Sequence, residues 1–220
     1  MNVVLIGDSC VLVCALIGYL YGTMRYVKKK KVLFLWMVSF AIACQMFARL
    51  FQVVFILTQG EFKSGFNIGM LGLAGGFMFL LSANYGGMDS LVDDGSRKHL
   101  ITRIVSLIAP AIVLGLSVLL LINVYDLSVR IGICVVAVVM VPCIYYNFKH
   151  AIIGDEVLGL VKPLRLYNSL AVIYSLAICM EGISVYMNIL PLYVAAMSVQ
   201  AILSLILLPI AGKGVAKWIM

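Results

Sequence analysis

The chain has 220 residues, 64% of them hydrophobic and only 11% charged, with a net charge of +7 and a mean hydropathy of +1.14. A water-soluble domain of this size has too little interior to hide so much apolar sequence, so the composition excludes an ordinary soluble domain and points to an all-α integral membrane protein. The positive charge is what Lys- and Arg-rich cytoplasmic loops leave behind, and no nucleic-acid partner is implied.

The first apolar run covers residues 2–23 and holds one acid, Asp8. Its start, "MNVVLIGDSC", has no basic segment before it; the basic cluster "RYVKKKK" follows instead. That order fits an uncleaved first span with its N-terminus outside, not a signal peptide. The second run, 32–57, contains "QMFARLFQ", in which Arg49 is the only formal charge of the run. Gln45, Arg49 and Gln52 stand at i, i+4 and i+7, so they share one helical face. The third run, 65–87, carries Gly65, Gly69, Gly72 and Gly76 at spacings of four, three and four, a small-residue face that lets helix backbones approach closely.

A polar loop, "GMDSLVDDGSRKH", follows, with Asp89 and Asp93 at i, i+4 and Asp94 beside them. The fourth and fifth runs, 101–123 and 129–148, contain Pro110 and Pro142, each expected to kink its helix. The sixth, 166–190, carries a polar stripe of Tyr167, Tyr174, Glu181 and Ser184. A tight turn at Asn188 to Pro191 leads into the seventh, 192–211, with Tyr193, Gln200 and Ser204. The expected fold is one domain over residues 1–220, a bundle of seven transmembrane helices.

Orientation follows from the basic residues. Thirteen of the sixteen fall in the first, third and fifth loops and the C-terminal tail, and only Lys63 and Arg130 fall in the other loops. The basic loops are therefore expected to be cytoplasmic, with the N-terminus outside and the C-terminus inside. An odd number of spans also admits a 3+1+3 parallel repeat, since the first and fifth spans then run the same way. In that scheme Arg49, 16 residues after Leu33, matches Glu181, 15 after Leu166.

Depth brings the polar positions together. At ~1.5 Å per residue from the outer ends, Asp8 lies about 9 Å in, Arg49 about 12 Å, and Glu181 and Gln200 about 13 Å. An arginine near a helix centre costs about 2.5–3.5 kcal/mol on insertion scales, so it faces the bundle interior and finds partners. Glu181 is its expected counter-charge, with glutamines adding hydrogen bonds and Asp8 near enough to the outside to be hydrated. The expected site is therefore Asp8, Gln45, Arg49, Gln52, Glu181 and Gln200. Either it is a structural knot joining four helices, or it is an outward-facing cavity for a small polar or zwitterionic ligand, with Arg49 meeting an anionic group and Glu181 and Asp8 a cationic one.

Other chemistry is thinly represented. Asp89, Asp93 and Asp94 could hold Mg²⁺ for transfer from a diphosphate substrate, with Asp155 and Glu156 as the only second acidic cluster. An ordinary solvated loop is the favoured reading, with contact to a cytoplasmic partner as the alternative. All six cysteines lie in apolar runs with no CxxC, which predicts free thiols, no metal centre and no cofactor. The last span has no lysine for a retinal Schiff base, and PQ, DRY, NPxxY, HExxH and GxSxG signatures are absent. The layout is similar to the heptahelical sensing regions that precede output domains in bacterial receptors, a likeness that carries no residues over. It implies a multi-pass protein of a bacterial plasma membrane acting as a receptor or sensor, with a separate cytoplasmic signalling partner. A small-molecule transporter using the same polar site is the alternative.

Overall fold

In lipid each backbone N–H and C=O must find its partner within the protein, and a helix does this within one segment. The computed structural model describes residues 2–60, 65–154 and 161–219 and contains no strand among them. The principal helices are α1 (Asn2–Gly22), α2 (Leu33–Gln59), α3 (Ile68–Asn84), α4 (Ile108–Asn123), α5 (Leu127–Ile152), α6 (Val161–Tyr186) and α7 (Leu190–Ile219). Six helical stretches are long and apolar enough to cross a membrane, so the chain is a multi-pass helical membrane protein. One of them, Arg97–Asn123, joins α4 to the turns before it; α3 is not among the six, and its 17 residues rise only about 26 Å. A π-helical segment, Tyr85–Asp89, prolongs it.

Local chemistry sets the ends. Asn67 caps α3 through its side chain, which accepts from the Met70 N–H at 3.3 Å. Asp126 caps α5 by accepting from the Ser128 N–H at 2.7 Å. Gly60, at φ +76°, closes α2, and its N–H returns to the Ile56 carbonyl. Asn188 takes a left-handed φ of +54° in the turn before α7, a conformation asparagine tolerates better than most residues.

Several boundaries depart from the sequence reading. The basic segment after α1 is not a loop: helix continues through a π-helical turn, Thr23–Val27, and on to Lys30. Tyr26 and Val27 are buried there, and the Tyr26 ring packs where a Cβ on Gly212 would stand. The last helix likewise runs on to Ile219 rather than ending near 211. Gly65 lies outside α3, in a turn against Ser128 at φ +86°; Gly69, Gly72 and Gly76 do pack on α2, with Gly72 meeting the backbone of Cys44. Pro110 breaks rather than bends its segment. It removes the hydrogen bond to the Ser106 carbonyl, and the helix is interrupted at residues 106–107, leaving Leu100–Val105 separate from α4.

Packing closes a ring in the order α1, α2, α3, α5, α6, α7 and back to α1, while α4 stands outside it against α5 and α6. The core inside the ring is built on Leu35, Phe77, Ile144, Tyr167 and Leu207, all fully buried. Apolar side chains such as Ile6, Val138 and Ile202 are exposed on the outer surface, as a lipid-facing wall requires.

Candidate functional site

Three ring helices present acids or bases to one point near the end of the bundle that carries the N-terminus, and α7 adds an amide. Arg49 on α2 is only 4% exposed. Its Nη1 donates to Asp8 Oδ1 on α1 at 2.7 Å and to Glu181 Oε1 on α6 at 2.6 Å. Its Nη2 donates to Glu181 Oε2 at 2.5 Å and to Gln200 Oε1 on α7 at 2.6 Å. Four protein acceptors thus occupy the two terminal nitrogens. Gln200 also donates from Nε2 to Glu181 Oε2 at 2.9 Å and to the Ala177 carbonyl at 3.3 Å. Ser184 bonds the Glu181 backbone carbonyl at 2.6 Å, one turn on.

The structure therefore brings Asp8, Arg49, Glu181 and Gln200 into contact. Asp8 does not face the outside: it is 1% exposed and turned to Arg49, and its Oδ2 has no hydrogen-bond partner among the described residues. Gln45, on α2, turns away from the cluster toward α3, where its Nε2 reaches the Leu73 carbonyl at 3.5 Å. Gln52 stands with Arg49 and Glu181 at the wall of a cavity of about 130 Å³ between α2, α3, α4, α5 and α6. The other walls are mainly apolar, from Met70, Leu73, Leu120, Val136, Met140 and Ile178. Arg49 and Glu181 are the charged residues of this lining, and a cavity of similar size, about 150 Å³, is known to hold a six-carbon ring.

Two turns deeper along α6, Tyr174 is fully buried and accepts a hydrogen bond from Ser204 of α7 at 3.3 Å. Below it, the Tyr167 hydroxyl and the Asn168 amide are buried without a hydrogen-bond partner among the described residues. Buried polar atoms of this kind are where internal water sits.

A second polar network lies at the opposite end, built from Asp89, Asp93, Asn84, Asn147, Lys149 and His150, which the sequence reading does not bring together. Lys149 Nζ meets Asp89 Oδ1 at 2.6 Å and Asp93 Oδ2 at 2.8 Å. Arg103 is also paired with Asp93. His150, fully buried, lies 3.1 Å from both Asp89 Oδ1 and Asn84 Oδ1, and Asn84 donates to Asn147 at 2.8 Å. The Arg103 guanidinium outweighs partial burial and, with Lys149 and the Gly95 N–H, holds the Asp93 carboxyl below the usual range. Burial alone would raise Asp89, but its bonds to His150 and Lys149 carry it lower. Asp94 turns to its own loop, accepting from the Ser96 N–H. The three aspartates thus do not converge, and no group of three His, Cys, Asp or Glu fit to hold a metal occurs among the described residues. Asp155 and Glu156 lie outside the described residues. The spacing of Asn147 and His150, one turn apart at the end of an apolar run, was the available signal for this network.

Comparison with family models, with curated proteins and with solved structures finds no match to this chain.

All six cysteines are free, four of them at least partly exposed on the bundle and Cys143 and Cys179 buried.

Proposed function

We propose that the chain is a heptahelical membrane receptor or sensor module, with its N-terminus outside, that binds a small ligand in the outer part of the bundle. One observation carries the reading: an apolar cavity of about 130 Å³ whose wall includes the buried Arg49–Glu181 pair. A purely structural ion pair is served by being packed on all sides. Here the pair instead borders a space that takes an apolar body and offers it a charged contact, the usual composition of a small-molecule site. Ligand entry changes the α2–α6 contact, and the cytoplasmic loops carry that change to a separate signalling protein. The 13-to-2 distribution of basic residues between alternate loops supports the orientation.

Transport is the second reading, favoured by the ring order. A parallel repeat relates α1, α2 and α3 to α5, α6 and α7 and leaves α4 as the connector, and the packing follows that pattern: α2 lies between α1 and α3, α6 between α5 and α7, and α4 stands outside. Arg49 on α2 and Glu181 on α6 then become equivalent positions.

The test is a thermal-shift screen of small polar and amphiphilic compounds on the detergent-solubilised chain, repeated with Gly182→Leu. A Cβ on Gly182 meets only Leu120 Cδ1, at 3.4 Å, so the longer side chain extends into the cavity without a backbone clash. Stabilisation that Gly182→Leu removes supports the site; hits indifferent to Gly182→Leu sink it. Flux of a hit into proteoliposomes made from this chain alone decides for the transporter, and binding without flux for the receptor.

A further inference from the structure

The two buried ionic networks differ in their charge count. At the end bearing His150, two carboxylates, Asp89 and Asp93, face two cations, Lys149 and Arg103. At the cavity, two carboxylates, Asp8 and Glu181, share one guanidinium. Arg130 is the other basic residue near this end among the described residues, and it is spent on the Leu121 carbonyl at the surface. The cavity network therefore lacks one positive charge. It also cannot readily receive an anion, because both terminal nitrogens of Arg49 already serve protein acceptors.

We infer that the ligand of this cavity is a small amphiphilic cation, an ammonium group on an apolar body of about ring size, received by Glu181. The inference rests on the reading of the cavity as a ligand site and names the class of molecule it takes. Its mechanism follows from one orphan atom. Asp8 Oδ2 is buried without a hydrogen-bond partner among the described residues, next to an Oδ1 that already accepts from Arg49. When an ammonium reaches Glu181, Arg49 shifts from Glu181 toward Asp8 and uses that second oxygen, so it becomes paired end-on with α1 instead of α6. Each charge keeps a partner throughout, which avoids the cost of an uncompensated buried ion. Two cations and two anions then balance, ligand ammonium with Glu181 and Arg49 with Asp8. The apolar walls, Leu73, Val136 and Ile178 among them, take the rest of the molecule. Asp8 is a positioning residue here: it lines no part of the cavity but makes Glu181 available.

Three probes of one shape test this on the purified full chain: benzylamine, benzyl alcohol and benzoate, measured by calorimetric titration in detergent. The expected order is benzylamine tightest, by about tenfold or more over benzyl alcohol, as a charge-assisted contact provides, with benzoate weakest. Asp8→Asn should weaken benzylamine several-fold more than it weakens benzyl alcohol, so that part of the preference survives, an effect that loss of packing alone does not produce. Glu181→Gln should remove the preference altogether. The unmodified chain decides the matter even where a variant fails to fold. Equal binding of amine and alcohol, or tighter binding of benzoate, overturns the cation assignment and leaves the cavity reading standing. Binding of none of the three, or binding that survives Gly182→Leu, overturns the cavity reading and the cation assignment with it.

Discussion

Arg49 and Glu181 lie 132 residues apart in the chain and meet end-on between α2 and α6, Nη1 to Oε1 at 2.6 Å and Nη2 to Oε2 at 2.5 Å. This fork-to-fork geometry is the strongest arrangement an arginine makes with a carboxylate. Asp8 touches the same guanidinium from a third helix, so the pair cannot be treated as a closed unit.

That third contact shapes the first prediction. Arg49→Leu leaves two buried carboxylates facing each other and should destabilise the solubilised protein by about 3–5 kcal/mol. Glu181→Leu leaves Arg49 with Asp8 and should cost less. The double variant Arg49→Leu/Glu181→Leu should recover only part of the loss, because Asp8 is then buried alone. Adding Asp8→Asn should bring the midpoint of thermal unfolding closest to that of the unsubstituted chain. Strictly additive losses across the series would show that the three residues are not coupled.

Close helix approach gives a second prediction. A Cβ on Gly18 of α1 would stand 2.5 Å from the Ser204 carbonyl and 2.7 Å from that of Leu205 on α7. Pro209 lacks the N–H that would bond the Leu205 carbonyl, one of the two carbonyls that α1 approaches here. Gly18→Ala must push α1 and α7 apart and should cost about 1–3 kcal/mol. Gly115→Ala, on α4 with nothing within 4 Å of the new atom, should be neutral or slightly stabilising. Thermal unfolding in one detergent compares the two, and equal effects would contradict the packing.

Stability toward acid should depend on the network of Asp89, Asp93, Arg103 and Lys149. Arg103 and Lys149 hold Asp93 below the ordinary carboxylate range, and Asp89 is lowered as well. A carboxylate lowered in the folded state contributes stability that is complete above its unfolded value, about 4, and is lost as pH falls through the folded value. The unfolding midpoint should therefore drop as pH is taken below about 4. Asp93→Asn should flatten that drop while lowering stability at neutral pH, where Lys149 and Arg103 lose a counter-charge. An unchanged acid limb in Asp93→Asn would exclude Asp93 as its source.

Orientation is open to direct labelling. With the six native cysteines replaced by alanine or serine, Lys29→Cys should resist an impermeant thiol reagent added outside intact cells and react after permeabilisation. Tyr125→Cys, in the short turn between α4 and α5 where Tyr125 is almost fully exposed, should react without permeabilisation. The opposite pattern would invert the topology.

Hydropathy and spacing were enough to place seven helices, because lipid forces every long apolar run to satisfy its own backbone. They were also enough to put Asp8, Arg49, Glu181 and Gln200 at one level, since depth depends only on residue count and a fixed rise. The pairing itself was not legible. Whether Asp8 meets water or Arg49 depends on the rotation of α1 about its own axis and on α7 and α2 flanking it, which residue counts do not encode. The same holds for Gln45: it shares a helical face with Arg49 yet turns to α3, because the face is wide enough to touch two neighbours. Lys149 and His150 looked like loop residues from their place at the end of an apolar run, but α5 extends far enough to carry them back against Asp89 and Asn84. The cavity exists because α4 stands outside the ring against α5 and α6. A hydropathy profile records that a segment is apolar, and only the tertiary packing decides which apolar surface meets a helix, which meets lipid, and where a space is left between them.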